Sequence, residues 1–414
     1  MGNSLQLVAF GGLSALALTC VLFVFRQWRI YRTTMETAEL ERQYLRERIG
    51  LIADQRRIER ERTEASWNGF RKFRVVEKKR ESDDICSFYL APHDGKSLPT
   101  FQPGQYLTFQ VRPPNQGKPL VRCYSLSDRP GVPNRYRVTI KRVPSGLVSN
   151  HFHDHLNVGD IVDVKAPAGQ FCLDLTRQNP IVLLASGVGV TPLLSMLNAI
   201  AEAGGRREVW FFFGVRDGRE HIFRGHLQTL ALQNPALHLH VCYSQPGDTD
   251  RANRNPAFQH AERVSIDLLK RVLPSNQFEF YLCGPPTMMN DLAAGLKVWG
   301  VTEDKIFFEA FGAATVRKPA LQHSGATTTA GFKIEFSRSG KKLPWAADAG
   351  NLLDFAHRHG VTIDSGCRAG NCGTCLVAVK SGEVAYLHEP GVTVEQGSCL
   401  TCISTPKSAL VLDA

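Results

Sequence analysis

The sequence lacks a long basic run, although Lys and Arg outnumber Asp and Glu by 49 to 39 among its 414 residues. The net charge of +10 is spread through the chain, which argues against a nucleic-acid-binding protein. Eleven cysteines are too few to hold a chain of this length together by disulfides. A composition of 43% hydrophobic and 21% charged residues excludes a largely disordered or collagen-like chain, and the length predicts two or three globular domains.

The N-terminal 25 residues lack charge altogether, and residues 5–25 form a largely apolar run. As a helix this run would be about 31 Å long, which matches the hydrocarbon core of a bilayer. Trp28 and Arg29 follow it, and aromatic residues beside arginines are typical of a membrane interface whose arginine side faces the cytoplasm. We therefore predict a transmembrane helix within a membrane anchor over residues 1–32, with the catalytic region in the cytoplasm. A buried core helix is the alternative.

The next segment, residues 33–66, is rich in Glu and Arg and has almost no Gly or Pro. This composition predicts a solvated helical stalk. Its apolar positions do not keep a clean heptad, so a homodimer through the stalk and an ordinary solvated helix are both open.

Four further segments differ in their patterns. Residues 67–175 contain short alternating strands between Pro and Gly turns, which predicts an antiparallel β-barrel. Residues 176–312 alternate buried strands with helical stretches, which predicts a doubly wound α/β domain. Residues 313–330 are small, polar and Pro-broken, which is typical of a linker. Residues 331–414 combine strands, a helix and a cysteine-rich loop, which predicts a small α+β domain.

Three motifs in the middle region carry the chemistry. The sequence R-C-Y-S at residues 122–125 offers a cation for pyrophosphate, a ring for stacking and a hydroxyl for a ring edge. The sequence G-L-V-S-N at 146–150 leads into a predicted helix whose first N–H groups suit a phosphate. The sequence S-G-V-G-V-T-P at 186–192 is a Gly-rich dinucleotide turn, with Pro192 where the usual fingerprint has its third glycine. Each motif is a weak signal alone, and their order and spacing make a strong one.

With these motifs, residues 70–312 resemble the ferredoxin–NADP reductase superfamily, in particular the reductase part of flavohaemoglobins. Further matching segments are P-G-Q-Y at 103–106, A-P-A-G at 166–169, Y-L-C-G-P at 281–285 and F-E-A-F-G at 308–312. The resemblance implies that Arg122 binds the FAD pyrophosphate, Tyr124 contacts the isoalloxazine ring and Ser125 approaches flavin N5.

The same resemblance assigns roles to eleven more residues. These are Gly146, Val148 and Ser149 at the FAD phosphates, Gly187, Gly189, Thr191 and Pro192 at the nicotinamide dinucleotide, and Cys283, Gly284, Glu309 and Phe311 near the contact between nicotinamide and flavin. Ser125, Cys283 and Glu309 would be the catalytic residues. From its residue type alone, Cys283 could equally be a small buried hydrophobic residue.

The C-terminal loop C-R-A-G-N-C-G-T-C at residues 367–375 has the C-x4-C-x2-C spacing of a plant-type [2Fe–2S] site. A structural zinc site is the alternative, because Cys399 and Cys402 form a further C-x2-C pair. The segment G-S-C-L-T-C at 397–402 resembles the L-T-C of plant-type ferredoxins. This resemblance implies a β-grasp-like ferredoxin domain in which Cys399 is spare and the metal ligands are Cys367, Cys372, Cys375 and Cys402.

The order of a reductase followed by a ferredoxin resembles phthalate dioxygenase reductase and the reductase of the hybrid cluster protein. It implies an iron–sulfur flavoprotein reductase that passes electrons from NADH or NADPH to an external acceptor, such as an oxygenase, a desaturase or another redox protein. The retained phosphate motif at 146–150 favours FAD over FMN. A diaphorase-like or flavohaemoglobin-like reductase that donates from the flavin directly is one alternative, and a zinc-stabilised membrane scaffold without catalysis is another.

The choice of donor depends on the loop after the second strand of the nucleotide domain, where an acidic residue favours NADH and an arginine favours NADPH. This loop contains Arg216, Asp217 and Arg219. Asp217 could hold the arginines in ion pairs and so deny them to a 2′-phosphate, which favours NADH.

Overall fold

The structure is a computed structural model that describes most of the chain from residue 66 onward and scattered residues before it. The described residues are 25–29, 31–32, 35, 39, 42, 44–46, 49–50, 57, 66–114, 117, 119–132, 134–252, 257–311, 331–346, 349–366, 368, 370, 373–387, 390, 392 and 394–414. Backbone contacts divide the chain into two units, residues 1–64 and residues 65–414.

The first unit is helical at each described position between residues 25 and 57. Large apolar side chains described there are exposed, and Tyr44 and Ile49 are each 60% exposed. Dimerisation through this segment stays a prediction.

The prediction of a transmembrane helix is wrong. Within the residues that the structure describes, no helix is both long enough and apolar enough to cross a membrane. Residues 1–24, which carry most of the apolar run, lie outside the described residues. The same finding contradicts the predicted location, which was that of a single-pass membrane protein with its catalytic region in the cytoplasm.

The second unit begins with a six-stranded antiparallel sheet. Its strands are β1 (Arg71–Arg80), β2 (Ile85–Pro92), β3 (Tyr106–Val111), β4 (Leu120–Ser125), β5 (Tyr136–Lys141) and β6 (Ile161–Val164). Their order is β4-β3-β6-β1-β2-β5, and a bridge between Leu126 and Val138 joins the two edge strands into a barrel. Helix α1 (Leu147–Asp154) packs on this barrel through Phe152, whose ring meets Phe88 and Phe109 edge-on at 5.3 Å.

A five-stranded parallel sheet follows, with helices on both faces. Its strands are β7 (Ile181–Ser186), β8 (Val209–Val215), β9 (Leu237–Tyr243), β10 (Glu279–Cys283) and β11 (Ile306–Glu309). Its helices are α2 (Val190–Glu202), α3 (Arg224–Gln233), α4 (Asp248–Arg251), α5 (Ile266–Val272) and α6 (Pro286–Val298). The strand order β11-β10-β7-β8-β9 reverses between β7 and β10, and ligands of such sheets bind at the carboxyl ends of the strands near this reversal.

The C-terminal part is a small α+β fold. Its elements are β12 (Lys333–Phe336), β13 (Lys341–Pro344), α7 (Leu352–Arg358), β14 (Leu376–Ser381), β15 (Val384–Tyr386), β16 (Ser398–Leu400), β17 (Ser404–Pro406) and β18 (Leu410–Leu412). The main sheet has the order β13-β12-β18-β14-β16, and β15 pairs with β17. Helix α7 buries Leu352, Leu353 and Phe355 against this sheet. Apart from the membrane anchor, the barrel, the doubly wound sheet and the α+β fold have the predicted architecture.

Candidate active site and cluster site

The R-C-Y-S motif forms the end of β4, paired with β3 so that Tyr124 lies opposite Leu107. The Tyr124 ring packs against Phe109 at 5.7 Å and Phe152 at 5.4 Å between ring centres. Burial raises the pKa of its hydroxyl, so the phenol stays neutral. Arg122 is exposed on the same strand and donates a hydrogen bond to the carbonyl of Val121 at 2.7 Å. The strand therefore offers a fixed aromatic ring beside an accessible guanidinium.

Ser125 and Glu309 meet between the barrel and the parallel sheet, although 184 residues separate them in the chain. The Ser125 hydroxyl donates to Oε2 of Glu309 at 3.3 Å, and both residues are buried. Burial raises the pKa of Glu309 to about 8, although the hydrogen bond from Ser125 opposes the shift. Glu309 is therefore mostly a neutral carboxylic acid at neutral pH.

Cys283 ends β10 and lies directly opposite Glu309 in the parallel pairing of β10 with β11. Its side chain is fully buried, and burial, followed by the charge of Glu309, raises the pKa of the thiol well above its usual value. Such a thiol is not a nucleophile at neutral pH. The structure thus brings Ser125, Cys283 and Glu309 to one place, with Cys283 as a small neutral side chain.

The turn before α1 is closely packed around Gly146. An added Cβ at Gly146 would lie 2.6 Å from Oγ of Ser149, so a larger residue does not fit without movement. The Ser149 hydroxyl accepts a hydrogen bond from the Val143 amide at 3.1 Å and faces the Gly146 carbonyl at 3.5 Å. Val148 is buried in the barrel core. The first N–H groups of a helix have no partners within it, so this helix start can accept an anion.

The Gly-rich turn after β7 packs against the end of β10. An added Cβ at Gly189 would lie 2.2 Å from the carbonyl oxygen of Cys283, and Gly187 has a φ of +55° that favours glycine. The Thr191 hydroxyl donates to the Val188 carbonyl at 3.0 Å, and Pro192 is buried in the first turn of α2. The turn is thereby held in contact with the strand end that carries Cys283.

Two more predicted residues flank this region. Gly284 packs closely on the neighbouring turn, since an added Cβ would lie 3.1 Å from Cβ of Ser186 and from Sδ of Met288. Phe311 is 37% exposed and follows β11. Its exposed ring lies two residues beyond Glu309 in the chain.

Substitution of Gly189 by alanine is expected to destabilise the protein by about 1–3 kcal/mol, because the new methyl group meets a backbone carbonyl. Thermal unfolding of the FAD-loaded protein measures the change. The matched control is Gly225→Ala in α3, where an added Cβ meets nothing within 4 Å. There alanine is expected to stabilise by about 0.5–1 kcal/mol through its helix propensity. Equal effects at the two positions would contradict the proposed packing of the turn.

The donor loop after β8 contains a close ion pair. Arg219 donates from Nη2 to Oδ2 of Asp217 at 2.6 Å and from Nε to Oδ1 at 3.2 Å. Asp217 is buried, and the hydrogen bond from Arg219 lowers the pKa of its carboxyl group. Asp217 thus holds one edge of the Arg219 guanidinium, although the Arg219 side chain is 83% exposed, and Arg216 is exposed as well.

The cysteine site lies between α7 and the C-terminal sheet. The Sγ atoms of Cys375 and Cys402 are 3.1 Å apart, and both side chains are buried. Cys367 and Cys372 lie outside the described residues, and no group of three or more metal-binding side chains occurs within the described ones. Cys399 is buried on β16 opposite Val377, and burial raises its pKa to about 12. Two converging thiols suit the sulfur ligands that an iron–sulfur cluster needs.

Some contacts at these sites have no signal in the sequence. Both the amide and the hydroxyl of Thr401 donate to the Cys375 carbonyl, at 3.2 and 3.0 Å, which ties the two cysteine segments together. Gln170, on the loop after the barrel, donates from Nε2 to the Pro390 carbonyl in the C-terminal fold at 3.0 Å. Both contacts join residues far apart in sequence, so no local pattern predicts them.

Three family models match the chain. They are the oxidoreductase FAD-binding domain at residues 72–172, the oxidoreductase NAD-binding domain at 183–294 and the 2Fe-2S iron-sulfur cluster binding domain at 335–407. These matches fall on the barrel, the parallel sheet and the C-terminal fold in turn. The protein is an NAD(P)H-dependent oxidoreductase that uses FAD and a [2Fe–2S] cluster.

Sequence comparison with known proteins shows the family to which the chain belongs. The chain is 39% identical over 282 residues to a flavohemoprotein of Halalkalibacterium halodurans, covering 65% of this chain and 68% of that protein. It is 38% identical over 256 residues to a flavohemoprotein of Bordetella pertussis, covering 61% and 63%. The chain thus spans roughly two thirds of the length of these relatives. It belongs to the ferredoxin–NADP reductase superfamily, with a flavohaemoprotein-type reductase region followed by a ferredoxin domain.

Two solved structures are similar in fold. The FAD/NAD-binding domain of nitric oxide dioxygenase from Vibrio cholerae is 32% identical, with a TM-score of 0.53, and the match covers 59% of this chain and 100% of that one. Phthalate dioxygenase reductase, described as a modular structure for electron transfer from pyridine nucleotides to [2Fe-2S], is 29% identical with a TM-score of 0.52. That match covers 84% of this chain and 98% of that one, so it includes the C-terminal fold.

Proposed function

We propose that this reductase delivers single electrons from its [2Fe–2S] centre to a separate acceptor protein, of the oxygenase, desaturase or related redox class. The observation that carries the proposal is the buried Cys375–Cys402 pair, 3.1 Å between sulfurs, in the same unit as the Ser125–Glu309 contact. When bound, a flavin accepts one hydride, which carries two electrons, and an iron–sulfur cluster carries single electrons. The similarity to phthalate dioxygenase reductase over 84% of this chain supports the same conclusion.

The flavin site is proposed to lie where β4 meets the ends of β10 and β11. Tyr124 would hold the isoalloxazine ring, and the Ser125 hydroxyl would orient the ring edge at N5. Cys283 and Glu309 would leave a neutral, water-poor space in which the nicotinamide and the flavin approach. Hydride transfer depends on this positioning rather than on strong acid–base groups.

The phosphates of FAD are proposed to bind at Arg122 and at the turn of Gly146, Val148 and Ser149. At Gly146 the turn packs on Ser149 and Val143, so a residue with a side chain would displace these neighbours and change the shape of the turn. Within this turn Ser149 would shape the loop through its bond from Val143, and Val148 would anchor the helix in the barrel core.

The nicotinamide dinucleotide is proposed to bind along the Gly-rich turn. Gly187, Gly189, Thr191 and Pro192 would form the turn, and Gly284 and Phe311 would flank the nicotinamide end. Cluster ligation is proposed for four cysteines, namely Cys367, Cys372, Cys375 and Cys402. The proposed domain bounds follow from this assignment. In chain order they are residues 1–32, the stalk at 33–66, the FAD domain at 67–175, the nucleotide domain at 176–312, the linker at 313–330 and the cluster domain at 331–414.

The test of the proposed function follows one-electron transfer in the intact, cofactor-loaded protein. The protein is reduced anaerobically with NADH and mixed in a stopped-flow instrument with cytochrome c as a one-electron acceptor. Reduction of cytochrome c is expected to proceed at the rate at which the cluster band reappears. The proposal would be overturned if the reduction of cytochrome c followed the flavin band while the cluster remained in its reduced form.

Direct donation from the flavin is the second candidate function. It is favoured by the 39% identity to a flavohemoprotein, a match that covers 65% of this chain. The stopped-flow experiment separates the two functions, because direct donation would leave the cluster band out of the kinetics of the acceptor.

The proposed donor is NADH. Asp217 holds the Arg219 guanidinium in two hydrogen bonds and so competes with a 2′-phosphate for this arginine. The wild type is expected to have a higher kcat/KM for NADH than for NADPH, and Asp217→Ala is expected to raise the NADPH to NADH ratio about tenfold. A wild-type preference for NADPH would contradict the proposal, and an unchanged ratio in the variant would remove Asp217 from donor selection.

A further inference from the structure

A second carboxylate reaches the donor loop from a different strand end. Asp217 follows β8, whereas Asp250 lies in the short helix α4 that follows β9, at the same carboxyl edge of the sheet. Oδ2 of Asp250 accepts hydrogen bonds from the amides of Gly218 at 3.3 Å and Gly247 at 3.0 Å. Two carboxylates thus hold the donor loop. Asp217 binds Arg219 within the loop, and Asp250 binds the Gly218 amide from the neighbouring strand end.

The contact at Gly218 leaves no space for a side chain. An added Cβ at Gly218 would lie 2.3 Å from Oδ1 of Asp250, and the Tyr243 hydroxyl would be 3.6 Å away. Oδ1 therefore packs directly on the α-carbon of the residue between Asp217 and Arg219. This geometry places a carboxylate in the middle of the loop that, in doubly wound folds, faces the adenosine ribose.

The charges of both carboxylates act on Arg219. The hydrogen bond and the charge of Asp217 are the main causes that raise the pKa of Arg219, and the charge of Asp250 adds to them. Asp250 thus acts on the loop in two ways, since it accepts a hydrogen bond from the Gly218 amide and adds negative charge beside Arg219.

We propose that Asp250 is a specificity-determining residue that disfavours donors with a 2′-phosphate. The inference rests on the proposed preference for NADH and adds a second residue to it. A phosphate monoester carries about −1.5 to −2 charges at pH 7, so a fixed carboxylate beside it is repulsive, whereas a ribose hydroxyl can donate to the same carboxylate.

The test variant is Asp250→Asn, because asparagine keeps an oxygen that can accept from Gly218 and Gly247 but removes the charge. The NADPH to NADH ratio of kcat/KM is expected to rise about tenfold, mainly through better use of NADPH. Calorimetry of NADP⁺ and NAD⁺ binding to the oxidised, FAD-loaded protein is expected to give tighter NADP⁺ binding and nearly unchanged NAD⁺ binding.

The matched control is Asp248→Asn, which removes the same charge from an exposed position on the same helix. Its donor ratio is expected to change less than twofold, about the effect of a screened surface charge. Equal ratios for Asp250→Asn and wild type, or equal shifts at positions 248 and 250, would overturn the inference. If the wild type prefers NADPH, the proposal that NADH is the donor is wrong. If the wild type prefers NADH and Asp250→Asn does not change the NADPH to NADH ratio of kcat/KM, only the proposed role of Asp250 is wrong.

Discussion

Replacement of Cys402 by serine is expected to abolish the iron–sulfur spectrum while the flavin remains. Cys402 is buried with its sulfur 3.1 Å from that of Cys375, so the two thiols can serve one cluster. Serine has nearly the same size but a much poorer ligand atom for iron. Visible absorption and electron paramagnetic resonance of the reduced protein measure the cluster. NAD(P)H–ferricyanide activity is expected to persist, because ferricyanide can take electrons from the flavin.

The matched control for this experiment is Cys399→Ser. Cys399 is also buried, but it lies on β16 opposite Val377 and is spare in the proposed ligand set. This variant is expected to keep the cluster and to lose only some stability, since a hydroxyl replaces a buried thiol. The reverse outcome, with the cluster lost in Cys399→Ser and kept in Cys402→Ser, would show that the ligand assignment is wrong.

A second large effect is expected from the titration of Glu309. Burial raises its pKa to about 8, so the neutral form predominates below this pH and a buried anion forms above it. An anion next to Ser125 would oppose the arrival of hydride, which brings negative charge to the same place. The rate of flavin reduction by NADH is therefore expected to fall above about pH 8, approaching tenfold for each pH unit.

Glu309→Gln supplies the comparison, because an amide keeps the size and a hydrogen-bond acceptor for Ser125 but cannot ionise. Its rate of flavin reduction is expected to stay flat through the same pH range. Stability gives an independent readout: the folded protein holds a proton on Glu309 that the unfolded chain has lost above its usual pKa of 4.5. The wild type should thus lose stability relative to Glu309→Gln as the pH rises from about 4.5 to about 8. Parallel pH profiles for the two proteins would contradict the assignment.

The apolar run at residues 5–25 is where reasoning from the sequence was wrong. The prediction of a spanning helix came from the hydropathy of neighbouring residues and from the aromatic and arginine residues that follow the run. A spanning helix also needs enough consecutive helical residues with few charges, and no helix among the described residues meets both conditions.

The sequence by itself determined the features that depend on neighbouring residues: the R-C-Y-S strand end, the Gly-rich turn, and the cysteine spacing at 367–375. These motifs are local, because the turn geometry and ligand spacing that they need are set within a few residues. Only the tertiary structure decided which distant groups meet. It placed Glu309 on Ser125, Asp250 on Gly218 and Thr401 on Cys375. Such contacts arise from the order of strands and from the packing of one domain on another. Because they join residues far apart in the sequence, no local sequence pattern specifies them.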